Sequence, residues 1–227
     1  MSNYSKAPLK DCSILFLGKV GDEYGSRALA YCQRNFSEVI AHVGVWGDPL
    51  PESLQHWQGD YIISYLSRWV VPDYLLKKAR CAAINFHPAS PDYPGIGCNN
   101  FALYEEAEEY GVTCHHMVSK VDTGGIIAVK RFPIWKSDTV ASVLSRTYDY
   151  QLALFYDVID QILLGQELPT SEEKWTREPF SRAQFNQLGK ITPDMSEAEI
   201  AKRVRAIQFG DWKPTLTIQG FTFELKD

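Results

Sequence analysis

The sequence lacks any apolar run approaching the roughly 18 consecutive residues that a membrane-spanning helix requires. Its N-terminal stretch, MSNYSKAPLKDC, also lacks the apolar centre of a secretory signal, and we therefore predict a cytoplasmic protein. The five cysteines show no CxxC spacing, which argues against a disulfide framework or a thiolate zinc site. The chain has no dense basic tract and a net charge of -5, so neither a nucleic acid nor a membrane is an expected partner.

What the sequence does contain is typical of a globular α/β protein. Of its 227 residues, 45% are hydrophobic and 22% are charged, which is enough apolar material for a core. Buried strands are predicted for four short apolar runs, at residues 13–18, 39–45, 61–66 and 82–87. Helices are predicted between them at residues 22–36 and 72–79. This order predicts a Rossmann-like, mostly parallel sheet with helices on both faces.

The second half of the chain begins with a predicted helix at residues 99–109. Two further strands, at residues 111–118 and 125–134, are joined closely enough to pair directly. A long amphipathic helix is predicted from Asp138 or Thr139 to about Leu164, where Gly165 is a plausible C-terminal stop.

The composition changes near residue 170. The segment EKWTREPFSRAQFNQLGKI is polar and interrupted, and we predict it to be irregular. A helix at residues 196–207 and a hairpin around Gly220 follow. We therefore divide the chain into a larger domain, 1–170, and a small C-terminal subdomain, 171–227, that ends in a β-hairpin.

One stretch, INFHPASPDYPGIGCNN at residues 84–100, carries candidate chemistry. Alternate residues of a strand share a face, so Asn85 and His87 point together while Phe86 packs the other way. Pro88 ends the strand, and ligands of open parallel sheets bind at that edge. The alternative is that the two side chains only satisfy nearby backbone groups.

A second stretch, TCHHMVSKVDTGGI at residues 113–126, adds a carboxylate. Asp122 lies in a glycine-flanked turn after a strand that bears two histidines. The alternative is that an Asp before Thr-Gly-Gly only stabilises the turn and has no catalytic role. The combination of the two stretches is what favours a site.

Together these motifs resemble one family. The chain resembles the formyltransferases that use 10-formyltetrahydrofolate over roughly residues 13–165. The motifs that carry the resemblance are Asn-x-His-Pro, the Pro/Gly loop, Gly-Val-Thr-x-His and Asp-Thr-Gly-Gly-Ile-Ile. The segment SYLSRWVVPDYLL fits the same pattern. YPGIGCNNFALY and GVTCHHM most resemble the members that formylate the amino group of a nucleotide-linked amino sugar, and EKWTREPFSR resembles part of their tails.

The resemblance implies roles for particular residues. Asn85, His87 and Asp122 would be the catalytic trio, with His115 in support and no metal. A folate pocket is implied at six positions: Arg68, Trp69, Val70, Gly95, Ile96 and Gly97. Core or surface roles for Arg68 and Trp69 stay open. Candidates for stacking on a nucleotide base are Trp175, Phe209 and Trp212, with ordinary packing of the tail as the alternative.

The trio suits formyl transfer on chemical grounds. A neutral amine attacks the formyl carbon and must shed a proton, which His87 is able to take with an ordinary pKa near 6.5. The Asn85 amide suits donation to the oxyanion, and Asp122 suits support of the imidazolium.

The predicted function is formyl transfer from 10-formyltetrahydrofolate to a dTDP- or GDP-linked 3- or 4-amino-dideoxyhexose, for cell-surface polysaccharides such as O-antigen. Methionyl-tRNA formylation is an alternative, weakened by the acidic charge and the short segment after residue 170. Glycinamide ribonucleotide formylation is another, although Asp22 and Glu23 in GKVGDEYGSR would repel a phosphate. Two alternatives belong to other functional classes. One is a metal-dependent hydrolase whose ligands would be His87, His115 and Asp122, and the other is an inactive sugar-nucleotide binding module. The final hairpin either forms a homodimer or caps its own core.

Overall fold

The computed structural model describes residues 11–226, and every element below belongs to that range. The prediction about an N-terminal signal falls largely on residues 1–10, which lie outside the described residues. The strands are β1 (Ser13–Lys19), β2 (Glu38–Gly44), β3 (Gly59–Tyr65), β4 (Ala79–His87), β5 (Glu109–His116), β6 (Ile126–Pro133), β7 (Lys190–Ile191), β8 (Thr215–Ile218) and β9 (Phe221–Glu224). The helices are α1 (Glu23–Asn35), α2 (Asp73–Leu76), α3 (Cys98–Tyr104), α4 (Val140–Leu163), α5 (Arg182–Leu188) and α6 (Glu197–Ile207), with one 3-10 turn at Glu52–His56.

The main sheet has six strands in the order β2-β1-β3-β4-β5-β6. The first four are parallel neighbours, and β5 runs antiparallel between β4 and β6. A second sheet, β7-β8-β9, closes the chain, and β8 and β9 form its hairpin. The prediction of a Rossmann-like, mostly parallel sheet with a small C-terminal subdomain ending in a hairpin is therefore confirmed.

Both faces of β1 and β3 are buried, which is why these two strands are nearly continuous apolar runs. On β1, Ile14 and Phe16 pack into a cluster that includes residues of α1 and α4. The alternate residues Leu15 and Leu17 pack on the other face, in a cluster that includes the 3-10 turn and α2. The centre of the sheet is thus a layer between helical layers, and the ends of its strands are left as the place for a site.

The predicted helix at residues 99–109 is shorter than expected. α3 ends at Tyr104, because Glu106 adopts a left-handed conformation (φ 56°) and the Ala107 amide donates back to the Ala102 carbonyl at 3.0 Å. The chain then enters β5 at Glu109.

The prediction that residues 173–191 are irregular was wrong in part. α5 lies within this segment, and Ser181 caps it by accepting from the Gln184 amide while the Gln184 side chain accepts from the Ser181 amide. The sequence S-x-x-Q is a capping-box signature, so a local signal for this helix was present. Within residues 11–226, none of the helices combines the length and apolar character needed to cross a membrane.

Candidate active site

The floor of the site comes from two adjacent strands. β4 and β5 pair antiparallel with Asn85 opposite His115 and His87 opposite Thr113. Directly opposed residues share a face of the sheet, so these side chains lie on one side while Phe86 packs into the cluster on the other. The Asn85 amide nitrogen is consequently 3.1 Å from Nε2 of His115.

Asp122 is brought to this floor by the turn between β5 and β6. Its backbone is left-handed (φ 49°), an uncommon conformation for a residue with a side chain. The Gly95 amide donates to its Oδ2 at 2.9 Å. That oxygen is 3.3 Å from Nδ1 of His87, and Oδ1 is 3.3 Å from Nε2 of His115. The turn therefore places one carboxylate between two buried imidazoles.

The hydrogen bonds of His115 orient the amide of Asn85. Nδ1 of His115 donates to the His116 carbonyl at 2.9 Å, so Nε2 accepts from the Asn85 amide when the ring is neutral and donates to Asp122 Oδ1 when the ring is protonated. That amide nitrogen makes no other hydrogen bond to a residue within 11–226, and Asn85 lines an open cleft. Its second N–H is thus available to a ligand.

His87 and Asp122 form a pair suited to holding one proton. Nε2 of His87 donates to the Tyr93 carbonyl at 3.1 Å, which leaves Nδ1 facing the carboxylate. Burial lowers the pKa of His87 and outweighs the opposing attraction of Asp122. Burial alone would raise the pKa of Asp122, but His87, His115 and the Gly95 amide hold that pKa at about 2. At neutral pH the pair is therefore an ionised carboxylate beside a neutral imidazole.

A cleft of about 320 Å³ opens above these residues, and Asn85, His87, His115 and Asp122 all line it. Five of the six residues predicted for a folate pocket also line it, namely Arg68, Trp69, Val70, Gly95 and Ile96. Gly97 does not. It adopts φ 74° before α3, and a Cβ there would lie 2.4 Å from the Phe185 ring.

Several lining residues were missed by the sequence analysis, among them Lys19, Trp46, Lys120 and Tyr148. Trp46 follows β2 at the carboxyl edge of the sheet, so the same strand-end rule would have found it. Tyr148 comes from the middle of α4, and nothing in its local sequence indicates a site.

One rim of the cleft is built around Trp69. Its indole N–H donates to the Asp48 carbonyl at 3.0 Å, and its ring occupies the space where a Cβ on Gly44 would lie 2.4 Å away. Trp69 thereby supports the turn that carries Trp46. The Arg68 guanidinium lies 5.5 Å from the centre of the Trp46 ring and has no carboxylate partner within residues 11–226.

Trp175, a candidate for stacking on a base, instead lies against the two histidines. Its ring centre is 5.9 Å from that of His87 and 5.1 Å from that of His115, edge to face in both cases. Its indole N–H donates to the Gly124 carbonyl at 2.7 Å.

The other two stacking candidates lie outside the cleft. Phe209 and Trp212 exchange backbone hydrogen bonds of 3.0 Å, and the Trp212 ring packs on Phe185 at 5.1 Å. Neither residue lines the cleft that holds Asn85 and His87. Within the described range no group of three or more His, Cys, Asp or Glu side chains is arranged to hold a metal ion.

The fold and this constellation define a class. The family described as formyl transferase matches residues 45–159 of the sequence, which is half of the chain. The chain belongs to the formyl transferase family.

The chain is similar in sequence to methionyl-tRNA formyltransferases and similar in fold to sugar N-formyltransferases. The chain is 28% identical to the methionyl-tRNA formyltransferase of Enterococcus faecalis over 144 residues, which are 62% of this chain and 46% of that protein. It spans about half the length of the curated relatives it matches.

Two solved structures share the fold over most of the chain. A 4-N formyltransferase from Francisella tularensis matches with a TM-score of 0.76 at 17% identity, covering 94% of this chain and 96% of the other. An N-formyltransferase from Helicobacter canadensis, solved with folinic acid and dTDP-3-aminofucose, matches with a TM-score of 0.70 at 21% identity, covering 92% and 84%. At these identities the likeness concerns the fold.

Proposed function

We propose that this protein transfers a formyl group from 10-formyltetrahydrofolate to the amino group of a nucleotide-linked amino sugar. The observation that carries the proposal is the meeting of Asn85, His87 and Asp122 at the floor of one cleft, in a member of the formyl transferase family. An amide donor, a buried neutral imidazole and an ionised carboxylate are the groups that acyl transfer to an amine requires.

The chemistry assigned to the trio is balanced within the site. The amine nitrogen bonds to the formyl carbon, and the carbonyl oxygen gains the negative charge. The unengaged N–H of Asn85 donates to that oxygen. The proton shed by the amine is held at Nδ1 of His87, where Asp122 accepts a hydrogen bond from it 3.3 Å away. The same proton passes to the leaving folate nitrogen as the carbon–nitrogen bond breaks.

The folate is assigned to the part of the cleft lined by Arg68, Trp69 and Val70 on one side and Gly95 and Ile96 on the other. The volume of about 320 Å³ suits a ligand-sized group. The unpaired guanidinium of Arg68 suits the glutamate carboxylates of the folate. The Helicobacter canadensis protein was solved with folinic acid, which supports a folate as the co-substrate.

The acceptor is assigned by analogy with the two solved relatives, since both are N-formyltransferases and one was solved with a dTDP-linked amino sugar. We propose a dTDP- or GDP-linked 3- or 4-amino-dideoxyhexose that is used, in the cytoplasm, for cell-surface polysaccharide. Phe209 and Trp212 stay candidates for contact with the nucleotide. Methionyl-tRNA is the second candidate acceptor, favoured by the names of the curated relatives.

The test is a panel of acceptors. The purified protein is incubated with 10-formyltetrahydrofolate and, in turn, with dTDP- and GDP-linked amino sugars, methionyl-tRNA and glycinamide ribonucleotide, and both folate product and acceptor mass are followed. We expect turnover with an amino sugar and none with the other two. Turnover with methionyl-tRNA alone would replace the proposed acceptor. Loss of activity on adding a chelator would instead favour metal-dependent chemistry.

A second copy of the chain is proposed as the partner of the final hairpin. Leu216 pairs with Phe223 and Ile218 with Phe221, so all four share one face of the hairpin. Phe221 is 71% exposed and Phe223 is 57% exposed, so no residue in the range 11–226 covers this part of the hairpin's apolar face. β9 is an edge strand whose open backbone groups suit pairing with an identical strand across a twofold axis.

A further inference from the structure

The segment of residues 171–180, called the strap here, has no helix or strand but is fixed at both ends. At its start the Ser171 amide donates to the Ile126 carbonyl at 2.9 Å. At its end the Phe180 amide donates to the Pro94 carbonyl, and the Ile96 amide donates to the Phe180 carbonyl, both at 2.9 Å. The strap therefore connects the start of β6 to the loop that follows β4.

Side chains fix the strap between those ends. Three of its residues form ion pairs with different parts of the site's surroundings: Glu173 with Arg131, Arg177 with Glu105, and Glu178 with Lys120. The Phe180 ring stacks on Phe101 at 3.8 Å, nearly parallel. These contacts hold the strap against the site without any regular structure of its own.

Trp175 lies at the middle of the strap, and its position is set from two sides. Its indole N–H donates to the Gly124 carbonyl, and Gly124 packs so closely on the end of β5 that a Cβ there would lie 1.8 Å from the His116 carbonyl oxygen. Its ring then lies edge to face against His87 and His115. Trp175 is not among the residues that line the cleft.

We propose that Trp175 is a positioning residue, which holds the rings of His87 and His115 in place beside Asp122 and keeps water from them. His87 is hydrogen-bonded through Nε2 and His115 through both ring nitrogens, but these bonds do not prevent rotation out of the ring plane, which packing must limit. Displacement of a catalytic group by about 1 Å can cost about 100-fold in rate. The rate part of this inference depends on the proposed function.

The test uses Trp175→Ala, which removes the ring, and Trp175→Phe, which keeps an aromatic contact but loses the bond to Gly124. We expect Trp175→Ala to lower kcat about 10- to 100-fold with both KM values within about threefold, and Trp175→Phe to lie between it and the native protein. The matched control is Trp135→Ala, because Trp135 is 53% exposed and its ring contacts Arg146 instead of the site. Thermal unfolding checks that each variant folds.

A second readout needs no substrate. The ring resonances of His87 are followed by NMR against pH in the native protein, Trp175→Ala and the control. Burial lowers the pKa of His87, so admission of water should raise that pKa and move the acid limb of kcat/KM to higher pH. The titratable groups facing His87 are Asp122, His115 and Cys98, and burial raises the pKa of the Cys98 thiol to about 12.

The outcomes separate this inference from the proposed function. A raised pKa of His87 in Trp175→Ala supports positioning even if no acceptor is ever turned over. An unchanged pKa overturns it. A higher KM for the acceptor with unchanged kcat also overturns it, because Trp175 would then be a substrate contact.

Discussion

Replacing Asp122 by Asn tests the electrostatic part of the mechanism. The change keeps the size of the side chain and an oxygen for the Gly95 amide, but it removes the negative charge 3.3 Å from both His87 and His115. In the folded protein the pKa of this carboxyl falls from its ordinary 3.8 to about 2. At about 1.36 kcal/mol per pH unit, the surroundings favour the charged carboxylate by roughly 2 kcal/mol.

The part of this preference that comes from His87 must equally favour its protonated imidazole, because the coupling between two charges is mutual; the rest comes from His115 and the Gly95 amide. A proton held on His87 during the reaction would lose up to roughly 2 kcal/mol of support in Asp122→Asn, which corresponds to about a 30-fold fall in kcat. Wrong orientation of the ring by the new amide would add to this loss. The measurement is steady-state formyl transfer to the acceptor found in the panel. Asp157→Asn is the control, since Asp157 is 57% exposed and pairs with Lys130.

Stability gives an independent measure of the same charge. Because the folded-state pKa of Asp122 is lowered, the carboxylate stabilises the fold above its unfolded value of 3.8, and this contribution is lost as the pH falls towards about 2. Between pH 6 and about pH 2 the native protein should lose roughly 2 kcal/mol of unfolding free energy that Asp122→Asn does not lose. A kcat within threefold of native, together with parallel stability curves, would refute the reasoning.

Three further changes test other parts of the molecule. Asn85→Ala should lower kcat about 10²- to 10³-fold with the fold intact, and a near-native rate would remove Asn85 from the mechanism. Gly124→Ala should lower the melting temperature and the activity together, because the new Cβ meets the His116 carbonyl oxygen at 1.8 Å, and a native melting curve would contradict this. Phe221→Ser with Phe223→Ser should convert a dimer into a monomer in light scattering, whereas a native protein that is already monomeric would exclude the proposed hairpin interface.

Much of the fold followed from local patterns. Runs such as SILFLG read as buried strands because both faces of a parallel sheet are covered, so no polar alternation is needed. The ends of elements were less predictable. α3 ends early because Glu106 adopts a left-handed backbone conformation, which a glutamate in the sequence does not predict. α5 was missed although Ser181 and Gln184 carry its capping box, so there the signal existed but its polar context obscured it.

The candidate site was likewise predictable from the sequence only in part. Strand alternation put Asn85 and His87 on one face, and the family resemblance supplied Asp122. The role of Trp175 had no such signal. A tryptophan in a polar segment is equally compatible with stacking on a ligand and with packing, and the positioning role proposed for it depends on the bond to the Gly124 carbonyl and the contacts with His87 and His115.

The sequence by itself determined the layers of this protein and the identity of its candidate site residues, because strand and helix periodicities and short motifs are local properties of the chain. Tertiary structure alone decided how those side chains meet. The register that sets Asn85 opposite His115, and the turn that brings Asp122 within 3.3 Å of two imidazoles, depend on contacts between segments far apart in sequence. The protonation of His87 and Asp122 depends on burial and on neighbours that only the folded chain supplies.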